Sequence, residues 1–159
     1  MKKKLFVIIA VIAIIYAAIF ATVALITIFL PATVYDNQKL LAGGDSSNRM
    51  NYRLSMHDET TTVKCDKMTG SDTLWKYNAD NDRNLQMEYT FQVTSGKAKL
   101  ILVNPDDTII TLAEQAGADG SELSAPAESI VELDLKKGVN RIKIVCEKGA
   151  AFSLSFKFS

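Results

Sequence analysis

The sequence predicts an all-β fold: an antiparallel β-sandwich of eight or nine strands, preceded by one N-terminal transmembrane helix. Three observations predict it. Residues 5–30 carry no charge and only two polar side chains, Thr22 and Thr27. From residue 52 onward apolar and polar residues alternate with period two, in runs broken by Gly, Pro and Asx clusters. No helix-period segment of useful length occurs after the apolar run.

The first element is the apolar run. As a helix its 26 residues span about 39 Å, more than the roughly 30 Å hydrocarbon core of a bilayer. Tilt, or a few residues in the headgroup zone, absorbs the excess. A cleaved signal peptide shares the Lys2-Lys3-Lys4 start, but its apolar region runs about 7–15 residues. Leu30, at −3 to the best cleavage position at Ala32, is also large for that role. The run therefore reads as an uncleaved signal-anchor. Three lysines precede it and the first charge beyond it is Asp36, so residues 1–4 form a cytoplasmic stub and the rest is extracytoplasmic. The expected location is the cell membrane of a bacterium, with a single pass.

Pro31 closes the helix. Residues 31–51, with Gly43-Gly44-Asp45-Ser46-Ser47-Asn48, read as a linker, and residues 52–159 as the extracytoplasmic domain. Strand runs follow at 52–56, 61–65 and 73–77. Leu85–Val93 places five apolar residues on one face, and Ala98–Val103 is apolar but for Lys99, as for a strand covered on both sides at its centre. Thr108–Leu112 is another strand. Residues 113–128 form a polar loop with room for a short helix at 113–118. Runs at 130–135, 139–147 and 152–158 complete the chain, the last two separated by a Glu147-Lys148-Gly149-Ala150 turn.

Two stretches carry a resemblance. The C-terminal pattern runs from Leu135 through Lys136-Lys137-Gly138-Val139-Asn140, alternating isoleucines and a turn to Phe152, Leu154, Phe156 and Phe158. It resembles the last hairpin of bacterial jelly-roll modules, among them galactose-binding-like carbohydrate modules and the pre-peptidase C-terminal type of secreted sandwich. Tyr89–Glu114 (YTFQVTSGKAKLILVNPDDTIITLAE) is similar to their middle strands. The resemblance covers residues 85–158. It implies a jelly-roll-like sandwich that binds sugars or shields a neighbouring domain; the ligand residues of those families lie in variable loops, and none maps onto this chain.

Charge excludes some partners. Without the three N-terminal lysines the chain holds 15 basic and 18 acidic groups, which gives no basic face for nucleic acid and little attraction to anionic lipid. Chemistry for catalysis is thin. The single histidine, His57, reads as a surface residue after a strand, and no G-x-S-x-G elbow or phosphate loop exists. The turn carboxylates are solvated turn formers, so no enzyme and no cofactor are expected.

Asp80, Asp82 and Asn84 have the alternate spacing of calcium ligands, but Leu85 and Phe91 stand where an EF-hand loop needs Gly and Glu. An Asx-rich turn accounts for the stretch equally well. Cys65 and Cys146 share a phase with apolar neighbours and face inward. An exported site permits a disulfide between them, and two buried thiols are the alternative. Trp75 and Tyr77, two apart on a strand, share a face and form either core or a flat platform for a sugar ring. The functional expectation is a non-catalytic binding module for a glycan, a cell-wall polymer or an envelope protein. The alternative is an accessory subunit of a membrane assembly, with Ala10, Ala13, Ala17, Ala18, Ala21 and Ala24 allowing close helix approach.

Overall fold

The computed structural model describes residues 34–117 and 126–159. The predicted membrane span at 5–30 and its cytoplasmic stub lie outside the described residues. Among the described residues no helix is long and apolar enough to cross a membrane.

Past a helical turn at 34–36, the described elements are a short helix, α1 (Gln38–Ala42), and the strands β1 (Ser46–Met50), β2 (Arg53–His57), β3 (Thr60–Ala79), β4 (Arg83–Ser95), β5 (Lys97–Val103), β6 (Ile109–Ala116), β7 (Ala127–Leu135) and β8 (Gly138–Phe158). Every pairing is antiparallel. β3 and β8 are long, and each serves two layers. Residues 60–65 of β3 and 152–156 of β8 join β2, β4 and β7 in one layer. Residues 67–79 and 138–146 join β1, β5 and β6 in the other. Register breaks at Cys65/Met68 and Met68/Gly70 mark where β3 passes from layer to layer. A bulge adds a residue and sharpens the local bend, which is how a strand turns such a corner.

The inner faces close on one core. Met87, Tyr89, Phe91 and Val93 of β4 meet Ala98, Leu100 and Leu102 of β5 and Ile142, Ile144 and Cys146 of β8. A second, smaller core lies on the outer face of β5 and β8, where Ile101, Val103 and Val145 are covered by Tyr35, Leu41 and Ala42. The apolar stretch Leu100–Val103 of β5 is thus buried on both sides, as its composition predicts.

Four sequence expectations change. The segment read as linker 31–51 is docked from residue 34: Tyr35 and Leu41 are 2% exposed, and Ser46–Met50 is a strand. Its apolar side chains had a sheet face to cover, and Asn37 caps α1 by accepting from Leu40 N. The runs at 61–65 and 73–77 belong to one strand, as do those at 139–147 and 152–158. Glu147–Ala150 is a corner in β8 rather than a hairpin turn, with Gly149 at φ 72°. The short helix placed at 113–118 is strand through Ala116.

Candidate functional site

The open end of the sandwich is built by the turns that join its strands. Asn140, buried, organises one of them: its Nδ2 donates to Lys136 O (2.7 Å) and Gly138 O (3.0 Å), and its Oδ1 accepts from Lys136 N (3.0 Å). This is the physical reason for the Lys-Lys-Gly-x-Asn pattern. Asp82 Oδ1 accepts from Lys137 N (2.8 Å) and ties the β3–β4 turn to the same place.

Aromatic rings line this end. A bulge between Thr73 and Trp75 sets Trp75 opposite the core residue Ile142 and Tyr77 opposite Asn140, so both rings point inward. They stack with centroids 5.4 Å apart and planes 4° from parallel. Phe158, from the other layer, stacks on Trp75 at 4.4 Å, and Phe156 meets Phe158 edge-on. Arg83 lies over the Tyr77 ring, 5.7 Å from its centroid, and its NH1 donates to Tyr77 Oη (3.0 Å). The structure therefore joins the two readings of Trp75 and Tyr77. Both pack against the core yet remain half-buried, in a column of rings whose flat faces engage one another. The column offers ring edges, a phenol and a guanidinium rather than one bare plane.

Asp80, Asp82 and Asn84 are not assembled into a ligand set. Asp82 holds the turn, Asn84 Nδ2 donates to Glu132 Oε1 (2.5 Å), and Asp80 is exposed. Among the described residues no group of three His, Cys, Asp or Glu side chains converges. Cys65 and Cys146 are buried and inward-facing, as their phase predicts, but carry free thiols and no disulfide. Cys65 Sγ donates to Lys67 O (3.2 Å), and burial, then the neighbouring Cys65, pushes the Cys146 thiol far up. A thiol held protonated is a poor nucleophile. His57 ends β2 with its side chain 88% exposed, beside Asp58.

Sequence reasoning missed the polar anchor on the opposite face. Lys143, fully buried, donates through Nζ to Leu41 O (3.1 Å), Gly43 O (3.0 Å) and Gly44 O (3.4 Å), and pairs with Asp45 Oδ1 at 3.3 Å. Arg141 donates to Ala42 O (2.7 Å) and Gly43 O (3.3 Å). These two cations take up the carbonyls that α1 leaves open at its C-terminal end. Their alternation with Ile142 and Ile144 reads as a solvent-facing phase, and no local signal says that this phase is covered.

Grooves cross the described surface. One, of about 540 Å³, crosses the outer face of the first layer between Glu88, Thr90, Glu128, Ile130 and Lys157. Another, of about 530 Å³, lies between α1 and β1.

No protein-family model matches the chain, and no curated protein matches it. Solved structures similar to it include a family 29 carbohydrate-binding module in complex with mannohexaose, with TM-score 0.42 and 15% identity over 73% of this chain and 82% of that one. Another is a carbohydrate-binding module from Cellvibrio mixtus lichenase 5A in complex with cellotriose, with TM-score 0.39 and 13% identity over 70% and 88%.

Proposed function

We propose that the chain is a non-catalytic binding module, held outside the cell by its N-terminal span, that takes a glycan or cell-wall polymer at the open end of the sandwich. The observation that carries this reading is the half-buried column Phe158–Trp75–Tyr77–Arg83. Pyranose rings present apolar C–H faces ringed by hydroxyls. Aromatic side chains with polar handles meet both halves of such a surface. Within the column the Arg83 guanidinium and the Tyr77 phenol supply polar handles for hydroxyl groups. The buried thiols and the exposed lone histidine support no nucleophilic or acid–base chemistry.

Trp75 is the sole tryptophan, so the emission of the full chain reports on this site alone. Adding the bound polysaccharide is expected to shift the emission to the blue and reduce acrylamide quenching. Arg83→Ala should weaken binding about tenfold, the scale of one charge-assisted hydrogen bond. Emission that ignores purified cell wall and every soluble polysaccharide would remove the glycan reading and leave a protein partner in the envelope.

A further inference from the structure

We propose that the face carrying the groove between α1 and β1 rests on the membrane surface, so that the aromatic column is presented on the side away from the lipid. The inference rests on the anchored reading of residues 5–30 and adds an orientation to it.

Chain length sets the distance. Val34 walls the groove together with Lys39 and Leu40, opposite Ser46 to Asn48 and residues 69–71. It stands four residues beyond Leu30, the last residue of the proposed span. Four residues reach about 14 Å at most. The headgroup zone occupies roughly 5–8 Å outside each side of the hydrocarbon core. A run of about 39 Å in a core of about 30 Å also pushes its own ends into that zone. The groove is therefore held within a few ångströms of the headgroups.

The side chains suit that place. Leu41 is buried under the domain, whereas Leu40 beside it is 44% exposed and turned away from both cores. Lys39 precedes it and makes no ion pair among the described residues. An apolar side chain beside a long cationic one is an interfacial pair: the first enters the acyl boundary, the second reaches headgroup phosphates. The acidic body offers no general attraction to lipid, so the contact depends on the tether, which raises the effective concentration of this face at the surface.

The other end follows from strand geometry. Gly70 lines the groove and Tyr77 lies seven residues along the same strand. At about 3.3 Å per residue that is roughly 23 Å. The ring column thus stands about that far along β3 from the groove face. The docking of residues 34–45 by Lys143 and Arg141 fixes that geometry.

The test uses the full chain reconstituted in phosphatidylcholine vesicles containing brominated lipid. In one variant Trp75→Phe is combined with Leu40→Trp; in a second, Trp75→Phe is combined with Lys39→Trp; the natural chain reports on Trp75. The expected result is at least twofold quenching of the tryptophan at 39 or 40 by brominated lipid, with Trp75 unquenched. A chain that fails to float with vesicles after alkaline carbonate extraction overturns the anchored reading and this inference with it. A chain that floats while both α1 reporters stay unquenched and open to acrylamide overturns the orientation alone. Quenching of Trp75 instead would place the domain the other way up and overturn it as well.

Discussion

Lys143 is the residue on which the N-terminal segment turns. Its ammonium has no exposed surface, and burial, opposed by Asp45, lowers its pKa. Three carbonyls and one carboxylate compensate the lost hydration. Removing one partner of such a set leaves the others desolvated, at about 3–5 kcal/mol. Lys143→Met, which keeps the length and loses the donors, should lower stability by about that amount in urea unfolding. A loss under about 1 kcal/mol would mean that water replaces the ammonium. The partner gives a pH signature. Burial pushes the Asp45 carboxyl up, but the Thr73 hydroxyl and the Lys143 charge outweigh it, and it titrates below its ordinary 3.8. The unfolded chain then binds the proton more readily. This contribution is present above pH 3.8 and is lost as pH falls through the folded value. Asp72 acts in the opposite sense, because burial, outweighing Arg49, raises its pKa. Asp45→Asn should therefore flatten the acid limb of the stability curve, and a limb left unchanged would assign it to other carboxylates. The cysteines give a simpler test. Neither thiol should react with Ellman's reagent in the folded protein, and both should react in guanidinium. Their inward phase was legible in the sequence because period two reports which face a residue occupies. The burial of Lys143 was not, because the same period says nothing of what covers the outer face.

Among the elements, β3 and β8 define the architecture by crossing between layers. Their alternation was readable, but their continuity was not: Gly149 and the residues around it look like a turn, and a corner uses the same chemistry. The same limit applied to the site. That Trp75 and Tyr77 share a face follows from their spacing, whereas Phe158 joins them from a distant strand of the other layer and Arg83 from across a turn. At the β3 corner Gly70 adopts φ 99°, and a Cβ there would meet Ser46 O at 2.0 Å. Gly44 has open space around its Cα hydrogens. Gly70→Ala should thus cost about 2 kcal/mol or more, from a strained backbone and a displaced β1. Gly44→Ala should stay within about 0.5 kcal/mol. Equal effects in thermal unfolding would mean that β1 moves aside freely and contributes little to the layer.

For the whole molecule, the question is where the domain begins. Period-two patterning places its start at residue 52, whereas the packing already includes Val34 and Tyr35, because Ile101, Val103 and Val145 on the outer face of β5 and β8 need cover. A chain cut to 52–159 would uncover Ile101, Val103 and Val145, each 0% exposed in the intact domain, and strip Lys143 and Arg141 of their acceptors. Uncovering an aliphatic side chain forfeits about 1.5–3 kcal/mol. Three of them approach the roughly 5–15 kcal/mol that holds an ordinary domain together. The loss of β1 removes an edge strand as well. Chain 34–159 should therefore melt in one sharp transition. Chain 52–159 should bind a hydrophobic dye, melt broadly or precipitate. If both fragments melt alike, residues 34–51 lie on the domain without supporting it, and the orientation proposed for it loses its mechanical basis.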